Sequence, residues 1–278
     1  MGSAKSLVMG LALAAVSIGA AASSTATAAV VFLDPASQVV QLDQNTSGLN
    51  NCVLLSQPGG GSCTVAASGN ASFGSQPGEF YNAAVVGFVD PDGLLQYKAL
   101  PMNGPAVAFT GSHFNYALIT DNLGDHVGNT GTCTITQKVG AATVGGGNIL
   151  AGSTTSADTG VAQIFSGNAA IFNIGASPQH FTITVTGEAF YAPGLRYGSV
   201  VVQYRDPGNG ITYDSLPIGQ SRDYFGFRPR VFITDFDGQA GNNSGLLTVE
   251  HAPTVPEPTT ATLAGALLLL PLANARRR

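Results

Sequence analysis

The residue types that could do chemistry are few and scattered. Asp235-Phe-Asp-Gly238, followed by Asn242-Asn243, sets out carboxylate and amide oxygens at close spacing. A calcium ion needs several such oxygens converging on one point. Position 12 counted from Asp235 is Leu246, where a calcium loop needs a glutamate. The stretch therefore reads first as a polar turn, with Asp235 and Asp237 the candidates for a calcium-assisted site. Asp90/Asp92 and Asp121/Asp125 read as turns. No other cofactor is expected.

Ser221-Arg-Asp-Tyr-Phe-Gly-Phe-Arg-Pro-Arg230 puts three arginines among three aromatics. Aromatic faces stack on sugars, and guanidinium groups pair with carboxylates. Tyr224, Arg228 and Arg230 are the ligand candidates. The competing reading is a half-buried strand, with Phe225 and Phe227 alternating against Arg228 and Arg230. The absence of tryptophan argues against a lectin.

The four histidines, His113, His126, His180 and His251, lack metal-ligand spacing. There is no His-Glu-x-x-His, no phosphate-cradling Gly/Lys loop and no Gly-x-Ser-x-Gly elbow. A triad or a carboxylate pair assembled from distant positions is open to any fold, but nothing singles one out. The expectation is a protein that is not an enzyme, with a secreted hydrolase as the minor alternative.

The elements that would carry these residues are short and extended. Val30–Leu33, Gln38–Leu42, Phe80–Phe88, Leu94–Leu100, Ala106–Phe109, His113–Thr120 and Thr132–Lys138 are strand candidates. So are Val161–Phe165, Ala169–Ile174, Phe181–Thr186, Ser199–Tyr204, Ile211–Leu216, Tyr224–Thr234 and Leu246–His251. In Phe181-Thr-Ile-Thr-Val-Thr186 the apolar residues point one way and the threonines the other. Asp90-Pro-Asp-Gly93 and Asp206-Pro-Gly-Asn-Gly210 predict hairpin turns. Ala106–Phe109 and His113–Thr120 read as a third pair, around Gly111-Ser112. Gly140–Ser156 reads as a long loop or a boundary between two subdomains. Short strands at this spacing predict an all-β, antiparallel β-sandwich or jelly roll over residues 29–254. Two small β-domains divided near 140–156 are the alternative.

Cys52 and Cys63 flank a glycine-rich stretch that reads as a hairpin tip, so an oxidising compartment would pair them. Cys133 shares a strand face with Ile135 and reads as a small buried apolar residue. Its alternatives are a bridge to Cys52, to Cys63 or to another chain.

Both ends of the chain depart from this pattern. Lys5, the apolar run Leu7–Ala22 and Ala26-Thr27-Ala28 have the order of a secretory signal. Cleavage is expected after Ala28. At the other end Val255-Pro256-Glu257-Pro258 is held extended by its prolines. An uncharged stretch, Thr259–Ala275, follows, a little shorter than a typical bilayer span at about 1.5 Å per residue. Arg276, Arg277 and Arg278 come last, a basic cluster of the kind that stays on the cytoplasmic side.

Extended motif, apolar helix and arginine cluster, in that order, resemble the PEP-CTERM sorting signal of exosortase-processed bacterial proteins. The resemblance covers Val255 to Arg278 only. It implies a transmembrane sorting helix that anchors the chain transiently in the inner membrane of a Gram-negative bacterium. It implies exosortase as the processing partner and a cut near Pro256–Pro258. Release or transfer to the cell surface or extracellular matrix would follow, with exopolysaccharide and biofilm as the setting. The alternatives for the stretch are a membrane anchor that is never cut and a buried core helix.

Composition agrees with export. The whole chain has 11 basic and 16 acidic residues, net −5. Removing both ends, to leave Ala29–Glu257, leaves seven basic and 16 acidic residues, net −9. That excludes general nucleic-acid binding, which rests on Lys and Arg against phosphates. Few charges with abundant Gly, Thr and Val fit a secreted β-protein. The expected role is structural or interactive, in a matrix; the alternative is a carbohydrate-binding module.

Overall fold

The computed structural model describes residues 28–36, 52–56, 62–74, 76–110, 113–120, 129–150, 169–172, 174, 176–234 and 240–253. The strands, in chain order, are β1 (Ala29–Leu33), β2 (Cys52–Leu54), β3 (Ser62–Gly69), β4 (Ala83–Val89) and β5 (Leu95–Pro101). Next come β6 (Val107–Thr110), β7 (His113–Leu118), β8 (Thr132–Val139), β9 (Ala142–Leu150) and β10 (Ala169–Ile171). The rest are β11 (Gln179–Ala192), β12 (Leu195–Arg196), β13 (Ser199–Arg205), β14 (Ile211–Pro217), β15 (Ser221–Phe232) and β16 (Ser244–Pro253). The one short helical turn among the described residues is Ala240–Asn242. No helix among them is long and apolar enough to cross a membrane.

Three sheets form, and every pairing between the named strands is antiparallel. The largest runs β1-β16-β11-β15-β13-β14, with β10 on β15 and β12 on β11. The others run β2-β7-β4-β5 and β6-β3-β8-β9. The described residues are therefore all-β but for one short helical turn, as the strand and turn pattern predicts.

β4 lies in the middle. All seven of its residues are buried, which is why it reads as a near-continuous apolar run. On one side Phe88 meets Phe109 of β6 edge-on, ring centres 5.1 Å apart. On the other, Gly87 opens toward Tyr97 and Thr234. Thr234 NH donates to Tyr97 Oη at 2.7 Å, and Tyr197 OH donates to the Thr234 carbonyl at 3.0 Å. Gln203, fully buried, donates through Nε2 to the Thr120 carbonyl at 2.7 Å. These bonds satisfy the polar atoms that layer packing removes from water. One contiguous cluster of buried residues spans all three sheets.

The predicted turns at Asp90–Gly93 and Asp206–Gly210 each join paired strands, β4 to β5 and β13 to β14. Each opens on an aspartate whose side chain accepts from a backbone NH four residues on. The Asx geometry is therefore what made these turns legible.

Three expectations are corrected. β6 and β7 do not pair with each other: β6 joins β3, and β7 joins β4 and β2. β2 and β3 likewise belong to different sheets, so the Cys52–Cys63 stretch is not a hairpin. In both cases the chain crosses between layers, because each strand has an apolar face to bury between sheets. Gly140–Ser156 is no open loop at its start. β9 pairs with β8 through a turn at Gly140–Ala141. Gly145–Gly147 are strand residues because β2 packs onto them. A Cβ at Gly147 would meet the Val53 side chain at 3.3 Å, and one at Gly146 would lie 2.2 Å from the Ile135 carbonyl oxygen. The strand candidates Gln38–Leu42 and Val161–Phe165, and both terminal signals, lie outside the described residues.

Candidate functional site

The first and last strands meet at one corner. β1 pairs with β16 from Ala29↔His251 to Leu33↔Leu247. β16 also pairs with β11, from Phe181↔Pro253 onward. The alternation of the three strands divides their side chains cleanly. Leu33, Leu247, Val249, His251, Phe181, Ile183 and Val185 point inward and are buried.

The outer face carries Thr182, Thr184 and Thr186 of β11 beside Thr248 and Glu250 of β16. β1 adds Val30 and Phe32, 51% and 57% exposed. Phe32 is the most exposed of the large apolar side chains among the described residues. Leu246, 47% exposed, lies on the same face of β16. One register step past Thr182 and Asp223, His180 and Phe225 stack with centroids 4.5 Å apart. Both are exposed.

His251 sits on the inner side of that corner. Its ring stacks on Phe172 at 5.2 Å and lies 5.7 Å from Phe181. Burial lowers its pKa, against an opposing backbone hydrogen bond. Sequence spacing gave no role to this histidine; its packing makes it a neutral core residue.

Tyr224, Arg228 and Arg230 do not form one binding surface. Tyr224 is buried, stacked on Phe181 at 5.5 Å, and its hydroxyl donates to Asp214 at 3.1 Å. Burial and the Asp214 charge push its phenol pKa up. Its ring faces are thus spent internally. Arg222 also holds Asp214. Arg228 has φ 51, which interrupts the alternation of β15. The register against β13 shifts between Arg205↔Phe227 and Gln203↔Arg230. Phe227, next to that irregularity, is buried while Phe225 is exposed. The aromatic that faces water is Phe225, and its partner is a histidine from β11.

A polar group that sequence reasoning missed is Arg205. It is 4% exposed, 3.5 Å from Glu79 Oε1, and it donates to Asn209 Oδ1 at 2.9 Å. Its guanidinium lies 4.4 Å from the centre of the Phe73 ring. Glu79 Oε2 in turn accepts from the Gln76 NH at 2.9 Å. The two charges lie 126 positions apart in the numbering, so no local pattern announces the pair. It fastens the β13–β14 turn to the segment before β4.

All three cysteines are free thiols. The expected Cys52–Cys63 bridge is not formed. Cys133 is fully buried beside Ile135, in keeping with its small-apolar reading. Burial raises the Cys52 thiol to about 11 and the Cys133 thiol to about 12. Cys63 is also raised by burial, partly offset by a hydrogen bond from Gln137.

Asp235 and Asp237, and Asp121, Asp125 and His126, lie outside the described residues. Among the described residues, no group of three His, Cys, Asp or Glu side chains is placed to hold a metal ion. Asp90 and Asp92 stand in a turn, where Asp90 accepts from the backbone NH groups of Asp92 and Leu94.

No family model, no curated protein and no solved structure matches this chain.

Proposed function

We propose that this is an exported protein, sorted by exosortase, with a structural or interaction role at the cell surface or in an exopolysaccharide matrix. The observation that carries the proposal is that the described strands lie between the two expected cuts. β1 begins at Ala29, the residue after the expected signal cut, and β16 ends at Pro253, two residues before Val255-Pro-Glu-Pro258. Each processing motif therefore adjoins the edge of the folded body without interrupting it. A cut at either place removes none of the strands among the described residues. The proposal takes the body as a sandwich-like domain of layered sheets, which a secreted scaffold needs and which requires no cofactor.

The test is substitution of the motif. Pro256→Ala with Pro258→Ala removes the extended grip and leaves the folded strands untouched. The variant is expected to accumulate at full mass in the membrane fraction, while the parent chain is shortened and leaves it. Equal release of both would overturn the sorted-protein reading.

A second reading, a carbohydrate-binding module, is favoured by the exposed His180–Phe225 pair beside Thr182 and Asp223 rather than by Tyr224. A glycan array with and without calcium, run on the parent chain and on Phe225→Ala, tests it. Binding that survives Phe225→Ala, or no binding at all, removes that site.

A further inference from the structure

Two independent sequence signals converge on one pair of neighbouring strands. The signal segment ends where β1 begins, and the sorting motif starts two residues beyond the end of β16. The register Ala29↔His251 then places both exits at the same end of the same antiparallel pair. Only five residues, six backbone steps, lie between Pro253 and Thr259, the start of the uncharged stretch. Fully extended, they reach about 20 Å. The end of β16 thus cannot stand far from a bilayer that holds that stretch. Phe32 lies three residues along β1 from Ala29, about 10 Å. It is within the same reach.

The outer side of that corner carries large apolar side chains on the edge strand, with one exposed carboxylate, Glu250, opposite Val30. Val30 and Phe32 are both more than half exposed, and Leu246 is nearly so. Neither β1 nor β16 carries a lysine or arginine. An edge of this kind is usually blunted with charge or proline. β6, another edge strand, shows the contrast: Lys98 Nζ reaches the Ala108 carbonyl at 3.4 Å. Large exposed apolar side chains grouped on one edge mark a contact surface.

We infer that, while the chain is tethered, the β1–β16 edge is turned to the bilayer and Val30 and Phe32 rest in the lipid interface. The inference rests on the sorted-protein reading above. It adds the surface that meets the membrane and the chemistry of that contact. The contact is made by apolar side chains, and the one charge beside them, Glu250, is negative, so it requires no anionic lipid and does not weaken with salt. After both cuts the same face is released into water together with the two new termini.

The chain has no tryptophan, which makes the test direct. Phe32→Trp introduces the sole indole, at a side chain that packs little against the core. The full 278-residue chain is reconstituted into phosphatidylethanolamine–phosphatidylglycerol vesicles, with ordinary or brominated acyl chains. Flotation first establishes the tether. The indole at position 32 is then expected to emit to the blue and to lose emission with brominated lipid, at low and high salt alike. Val144→Trp, on the edge strand of the β6-β3-β8-β9 sheet, is expected to lose none. Val30→Trp repeats the measurement should Phe32→Trp fail to fold.

A chain that does not float overturns the tethered reading and this inference with it. A floating chain whose indole at 32 is not quenched overturns the inference alone. Equal quenching at 32 and 144 also overturns it. So does a concentration-dependent blue shift without quenching, which would mean that a second copy of the chain covers the strip.

Discussion

At the scale of single residues, two buried groups decide how the protein answers to its surroundings. Arg205 and Glu79 form an ion pair shielded by Phe73 and the β13–β14 turn. Removing one partner strands the other charge away from water, a loss of about 3–5 kcal/mol. Arg205→Ala is expected to lose that much in urea unfolding, and a loss under about 1 kcal/mol would show the pair to be solvated. His251 works through pH. Its folded pKa is lowered, so the unfolded chain takes up the proton first. Its contribution to stability is fully present above the ordinary histidine pKa of about 6.5, and is lost as pH falls from there toward the lower folded value. His251→Phe is expected to flatten that part of the stability curve. An unchanged slope between neutral and mildly acidic pH would assign the effect elsewhere. The free thiols give a third expectation at this scale. Under non-reducing denaturing conditions all three cysteines are expected to titrate with a thiol reagent. One titrating thiol would mean that a disulfide has formed after all.

At the scale of elements, β9 makes the sharpest claim. Three consecutive glycines read as a loop because glycine is poor in strands. They form a strand here because another strand crosses close above them. Gly146→Ala would push a Cβ against the Ile135 carbonyl, at φ 124. The expected cost is more than about 1 kcal/mol, and a neutral result would mean that the β8–β9 pairing yields easily. The same elements show what sequence makes legible. Alternation placed β8, β11 and β13, because burial on one face leaves a period of two, or a solid apolar run when both faces are covered. Asp90 and Asp206 placed two hairpins, because an Asx turn is built from residues near in sequence. Pairing between β2 and β7, or β6 and β3, left no such trace. Both are choices between equally apolar partners, settled only when the layers stack. The ligand candidates failed for a related reason. The ordinary alternation of β15 turns Tyr224 inward and Phe225 outward, and the extra residue at Arg228 puts Arg230 out of step with them. Phe225 went out to His180, while Tyr224 and Phe227 went in.

At the scale of the whole molecule, the proposed sorting signal follows the last described strand by two residues. A stretch with net −9 between Ala29 and Glu257 is ill suited to nucleic acid. The two proposed terminal signals rest on sequence alone, because each is a linear order of residue types within one short stretch. What the body binds was not legible, because any contact surface is assembled from strands distant in sequence, as the Val30, Phe32 and Leu246 strip is. The most direct test of the central claim is the intact mass of the protein recovered from its own host, in cell-bound and released fractions. The account predicts a released form that starts at Ala29 and ends within Val255–Pro258. A released form that retains Arg276–Arg278 would contradict it.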